Sequence, residues 1–321
     1  MTKLEPISIS LNFDSINESL DFPKKFKDPS YFKGFDRVID VINKHNIKIS
    51  IFVIGKDLKN KEIFSRVRDW SSAGHEIGNH SWSHFHNLGS LNTIKTNEEI
   101  FKTHEIIYKC TKKEPKGFIS PSWNISKKII TKLIDLNYTY DHSIFPSFGL
   151  FLTYIKDAFN HIGSKRFFRI INRKDWLHHF LLSKKPFFVN KSLKKNIQNK
   201  DKKILIMPLP TRSKFHIPLW YTVGFVFGWK FFFKSLKRFL NNNEYFYLLF
   251  HPADFTSNQD ISFEHKNYLQ RFNVPIDEKM KILKKVFKII SESKRKCVKM
   301  DELANYYKKN MPSLNLPNTQ Q

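Results

Sequence analysis

The sequence predicts an α/β fold built on a mostly parallel sheet, and three observations predict it. Apolar, β-branched runs recur along the chain: "ISISLNF" at 7–13, "IKISIFVIG" at 47–55, "KILIMPL" at 203–209 and "YFYLLF" at 245–250. Segments with apolar residues at helical spacing lie between them, which is the alternation a parallel sheet needs to carry each strand back. Chemically active residues follow two of the runs, Asp14 after the first and His251 after the last. The C-terminal ends of parallel strands are where functional groups collect.

Taken in order, 7–13 alternates and ends at Asp14. Phe32, Phe35, Val38, Ile39 and Ile42 then repeat at helical spacing. The run 47–55 is a strand stopped by Gly55, residues 60–73 are helical, and "HEIG" is a short strand end. Residues 92–109 form an amphipathic helix. "GFIS" is strand-like, and Ser126 caps a helix ending near Leu136. After 203–209 come a helix at 228–241, the strand 245–250, a helix at 277–293 and a last strand near 297–300. Residues 148–203 break the pattern. They are basic and Phe-rich and predict a helical insertion within one domain spanning 1–321, a length suited to one large α/β domain or two small ones.

The net charge is +26. An anionic partner accounts for it, as does a composition rich in Lys, Asn, Ile and Phe. No nucleic-acid-binding module is recognisable, which argues against a nucleic-acid partner. The two cysteines, Cys110 and Cys297, form no CxxC pair and predict a reducing compartment. No signal-peptide pattern opens the chain, so a cytoplasmic location is expected. Residues 217–229, "IPLWYTVGFVFGW", carry no charge but are too short to span a bilayer. With the basic, aromatic stretch that follows, they predict peripheral contact with an anionic inner membrane.

The densest chemistry is "HEIGNHSWSHFH" at 75–86. His80 and His84 are four apart, and on a helix turn that spacing puts both on one face, suited to one divalent ion. The pair alone is a weak signal. Asp14, His251 and the segment "DHSIFPS" at 141–147 change this, because each follows a strand and all would meet on one rim of the sheet. An Asp, two His and a separate His make three metal ligands with one acid–base group outside them.

In this arrangement the sequence resembles the polysaccharide deacetylases with a NodB-homology domain, carbohydrate esterase family 4. The resemblance covers about 7–147 and 203–306 and rests on five ordered motifs: "SLNFDS", "GHEIGNHSWSH", "GFISPSW", "YDHSIFPS" and "LLFHPADF". It implies a distorted (β/α)7 barrel-like fold, a divalent metal, usually zinc, and hydrolysis of an N-acyl or O-acyl group on a sugar; removal of N-acetyl from an amino-sugar-containing polysaccharide is the expectation, and the membrane contact read from the basic, aromatic stretch would suit a lipid-linked precursor of it. It also implies Asp14, His80 and His84 as metal ligands, Asp14 and His251 as catalytic residues, and Pro121, Trp123 and Asp141 on the substrate side. For Asp141 a supporting or turn-capping role is the expectation, and for Trp123 and Trp82 either stacking on sugar or burial. His75 and His86 are expected to be surface or supporting residues.

The resemblance departs from the family at two places. The family commonly has two aspartates in the first motif. Aligned with T-F-D-D, Asp14 is the base and Ser15 stands where a ligand would be. Aligned with D-x-D, as the flanking residues favour, Asp14 is the ligand and Asn12 stands at the base. Ile119 replaces the Arg that orients the catalytic aspartate. Losing both members of one pair raises a second reading: a catalytically impaired protein of this fold that binds carbohydrate or a partner in surface-polysaccharide synthesis. Glu18 and Asp21 are the nearby acids that would substitute.

Overall fold

The computed structural model describes residues 4–16, 28–147, 183–191, 202–212, 216–261 and 270–311. Strand β1 (Ile7–Phe13) is buried along its whole length. A π-helical turn at Ser30–Gly34 runs straight into α1 (Phe35–Lys44). Next come β2 (Ser50–Val53), α2 (Lys61–Ser72), β3 (Glu76–Asn79), α3 (Thr93–Thr111), β4 (Gly117–Phe118), α4 (Lys127–Asp135) and β5 (Tyr140–Asp141). The remainder holds β6 (Phe187–Asn190), β7 (Lys203–Ile206), a small hairpin of β8 (Thr211–Arg212) and β9 (Ile217–Pro218), α5 (Val223–Phe227), α6 (Trp229–Asn241), β10 (Tyr247–Phe250), α7 (Ile276–Ser291), β11 (Cys297–Val298) and α8 (Met300–Asn310).

The helix ends follow local chemistry. Asn92 caps α3 by accepting the Lys95 amide at 2.9 Å, and Lys112 closes it in the left-handed region at φ 58°. Ser126 caps α4, as its sequence position predicts. In α1, Phe35, Val38, Ile39, Val41 and Ile42 form the buried stripe.

The chain divides into two compact units. The first comprises residues 1–53, 69–77 and 219–300. In it β1 pairs in parallel with β10, β2 and β11. β1 is flanked on both edges and wholly buried, so even the Ser8 and Ser10 of its alternating run lie inside; β10, at the end of the sheet order, is also buried throughout, in keeping with the apolar run "YFYLLF". Phe13 packs edge-on against Tyr31, Phe35 and Trp70.

The second unit comprises residues 54–68, 78–218 and 301–321. Asn79 of β3 pairs with Phe118 of β4, and β4, β5 and β7 run parallel. Phe118, Ile129, Leu133, Tyr138 and Ile204 belong to its core.

The helical insertion expected at 148–203 needs correction where it is described. Residues 187–190 are β6, a strand antiparallel to β7. Phe187 and Val189 alternate inward, a period-2 pattern that the Phe-rich, basic composition hides. Residues 148–182 and 192–201 lie outside the described residues, as do Glu18 and Asp21. The apolar stretch 217–229 is divided among β9, α5 and the start of α6, with a break at Gly228 (φ 84°). Among the described residues no helix is long and apolar enough to cross a membrane.

Candidate active site

The histidine motif belongs to the second unit from Gly78 onward. His80 and His84 do not sit on a helix turn. They lie on a loop directly after β3, in which Ser81 (φ 62°) and His84 (φ 56°) adopt left-handed backbone. The loop still brings the two imidazoles together, edge to face with ring centroids 4.8 Å apart. Both are buried.

Several groups fix this loop. The Asn79 side chain accepts the Ser81 amide at 2.8 Å and donates to the Ile100 carbonyl and to Tyr138 Oη. The Glu99 carboxylate takes the amides of Trp82 and Ser83 at 3.1 and 2.9 Å and the Ser83 hydroxyl at 2.7 Å. The amides of Gly55 and Lys56 donate to the carbonyls of Ser81 and Trp82, both at 3.0 Å. A Cβ at Gly55 would lie 2.4 Å from Thr103 Oγ1 and 2.6 Å from Trp82 Cε3. These contacts hold the two left-handed residues against their backbone cost.

His80 Nδ1 lies 2.8 Å from the Ile119 carbonyl oxygen. A carbonyl only accepts, so the proton is on Nδ1 and the lone pair on Nε2. That is the tautomer a metal-ligating histidine needs. Ile119 has no guanidinium to offer, but its main chain orients His80.

Around this loop, Trp123 is half-buried and packs edge-on against Phe145 at 4.8 Å, and Pro121 is buried. His86 Nδ1 sits 2.6 Å from the Ser122 hydroxyl. Asp141 is fully buried. Its carboxylate takes the Ser143 hydroxyl at 2.5 Å and amide at 3.2 Å, and Ser143 Oγ accepts the Ser120 amide at 2.7 Å. It holds the turn, in line with the supporting role expected of it. That burial lifts its pKa to about 7. Burial, with His80 beside it, holds His142 well below the usual histidine range.

The first unit carries Asp14 and His251. Asp14 is buried and immediately follows β1. Asn12, one residue before the strand's end, places Nδ2 3.4 Å from Nε2 of His251. His251 follows β10 and is half-buried. Its turn is clamped: the His251 amide donates to Asp254 Oδ2 at 3.1 Å, and the Asp254 amide to the His251 carbonyl at 3.0 Å. Asp254 also accepts from Thr222 at 3.0 Å and Arg271 at 3.1 Å. Buried Lys279 donates to the Thr256 carbonyl. Burial lowers its pKa to about 7, against the opposing pull of Asp254. His75 is structural: its buried Nδ1 accepts the Ile49 amide at 3.1 Å.

Comparison with known proteins places the chain. The polysaccharide deacetylase family model matches residues 3–140. That span is a little under half of the chain, and it is what the chain shares with the family. A peptidoglycan deacetylase of Helicobacter pylori is 27% identical over 147 residues, 45% of this chain and 47% of that protein. A peptidoglycan-N-acetylglucosamine deacetylase of Bacillus cereus is 35% identical over 88 residues, 27% of this chain and 30% of that one. The chain thus spans about half, or less, of the curated relatives it matches. A structure assigned to the polysaccharide deacetylases from Mycobacterium smegmatis superposes with a TM-score of 0.61 at 12% identity, covering 100% of this chain and 96% of that one. The Puue allantoinase gives 0.58 at 12% identity, over 97% and 93%. These likenesses show the mixed α/β deacetylase fold.

The sequence did not announce Glu99, the Ile119 carbonyl or His142. A carbonyl leaves no trace in residue identity. Glu99 leaves a faint one, because it shares a helix face with buried Thr96 and Thr103, three before and four after it.

Proposed function

We propose that the chain is a metal-dependent hydrolase of the deacetylase family that removes an N-acetyl group from an amino-sugar-containing polysaccharide. The two compact units would together form one deacetylase-like domain. The observation that carries the reading is the buried His80–His84 pair of the second unit, its ring centroids 4.8 Å apart. Asp14 of the first unit is the carboxylate we propose as the third ligand, each of the three residues offering one ligand atom. Two imidazoles and one carboxylate suit zinc, and the His80 tautomer fits that use. The family-model match and the peptidoglycan deacetylases among the relatives support the substrate class.

A bound divalent ion would polarise the acyl carbonyl and lower the pKa of a bound water toward about 7. The chain's own residues handle the protons. Hydrolysis adds water across the acyl carbon and nitrogen, so one proton leaves the attacking water and one reaches the departing amine. His251, held by its Asp254-clamped turn, is the group to protonate the amine. Asn12 accepts no proton at neutral pH, so the water's proton has to pass to Asp14 or His251.

That same position favours a second reading, an impaired relative that binds carbohydrate. Asn12 Oδ1 is buried with no hydrogen-bond partner among the described residues, where the family has a carboxylate. Metal content by elemental analysis and acetate release from N-acetylated peptidoglycan and chitooligosaccharides separate the two. Bound metal with acetate release that disappears in His80→Ala and Asp14→Asn supports the hydrolase. Bound metal without acetate from any glycan supports the impaired reading. Release that survives both substitutions refutes the site.

A further inference from the structure

The second unit carries an exposed face that the proposed chemistry does not use. Along α3, Phe101, Glu105, Tyr108 and Lys112 recur at helical spacing, with Lys102, Ile106 and Lys109 beside them. Phe101 is 42% and Tyr108 50% exposed. Together with Trp82 they line a surface groove of about 470 Å³. A second hollow of about 520 Å³ shares Ile106 and Lys109 with it and reaches Lys59, Lys61, Phe64 and Arg68.

Charge and rings are interleaved here. Lys59, Lys61, Arg68, Lys102, Lys109 and Lys112 line the two hollows against one carboxylate, Glu105. Lys59 Nζ lies 5.2 Å from the Trp82 ring and Lys132 Nζ 5.0 Å from that of Phe101. A uniformly lysine-rich surface does not account for this. Six large hydrophobic side chains are exposed among the described residues, and two of them, Phe101 and Tyr108, line this groove. Helices α6 and α7 expose Lys237, Lys281 and Lys284 but contribute none of the six.

Ring faces with cations between them suit a polyanionic sugar chain, the rings taking its apolar faces and the cations its acidic groups. Lys102 and Lys112 are about 15 Å apart along the helix axis, at 1.5 Å per residue. The groove therefore meets several successive sugars. Trp82 joins it to the histidine loop, because that side chain lines the groove and lies midway between His80 and His84 in sequence.

We propose that this groove binds an anionic polysaccharide strand, bearing carboxylate or phosphate groups, and leads it to the histidine loop. Its catalytic meaning rests on the deacetylase reading, but binding is measured without turnover. Affinity electrophoresis in polygalacturonate, with neutral dextran as control, reads it directly, and sedimentation with phosphatidylglycerol vesicles tests a lipid surface instead. The triple variant Lys102→Glu, Lys109→Glu, Lys112→Glu is expected to weaken polygalacturonate binding at least about tenfold. Phe101→Ser with Tyr108→Ser should weaken it at least about fivefold, and the equal-charge control Lys237→Glu, Lys281→Glu, Lys284→Glu less than about twofold. Unchanged melting curves confirm folding at these exposed positions. Equal losses in the two lysine triples, no loss in the aromatic pair, or groove-dependent binding to vesicles alone would overturn the proposal. Groove-dependent binding without acetate release sinks the deacetylase reading and supports the groove. Acetate release without groove-dependent binding does the reverse.

Discussion

The histidine loop of the second unit and the end of β1 in the first are built differently. The loop of 80–84 is held from several sides, by Asn79, Glu99, the amides of Gly55 and Lys56, and the Ile119 carbonyl. The end of β1 offers Asn12 a single long contact of 3.4 Å to His251. The two histidines proposed to hold an ion are supported from several sides, while Asn12 offers no carboxylate to take a proton. The contrast teaches that ion binding and proton transfer are separable, and each can be broken or restored alone.

The largest effect is expected at the loop. His80→Ala removes a donor outright, so bound metal should fall below stoichiometry and acetate release drop by more than about 100-fold, since even supporting residues of metal sites cost 10–100-fold. Elemental analysis of the purified variant checks the first, and an acetate assay the second. The opposite experiment is Asn12→Asp. A carboxylate there supplies the missing acceptor, and a positioned general base contributes about 10²–10⁴-fold. Acetate release should rise with metal content unchanged; an unchanged rate would show that the proton already travels by another route.

Glu99→Gln tests the support. It removes the charge from three hydrogen bonds to the loop and is expected to cost roughly 2 kcal/mol of stability, read by urea unfolding, with weaker metal retention. The smallest effect concerns pH. Burial holds His75 near pKa 4 in the folded chain against 6.5 when exposed. Between those values the unfolded chain binds the proton and the folded chain does not. Stability from this site is therefore full above about pH 6.5 and lost progressively as pH falls toward 4. His75→Gln, which keeps an acceptor, should flatten that part of the stability–pH curve in parallel urea titrations.

Much of this was legible in the residues. β1 falls where alternation placed it, and Asp14 and His251 follow their strands because apolar runs end where the sheet meets its rim. His80 and His84 do lie together, but on a loop and not on the helix turn their spacing suggested. Asn79, Ser81, Ser83 and Asn87 are loop formers, and they outweigh helical spacing here. Strand β6 and helix α8 were not seen. One is four residues inside a basic, Phe-rich stretch, and the other follows directly on a two-residue strand. The complete burial of Asp141 is something composition does not report.

Gly55 carries a consequence of its own. The room for Trp82 exists because residue 55 has only a hydrogen where any other residue has a methyl or more. The side chain that settles into that room lies two residues from each imidazole. A Gly55→Ala chain would thus retune the imidazole pair without touching it, a wedge one carbon wide whose force arrives through the indole.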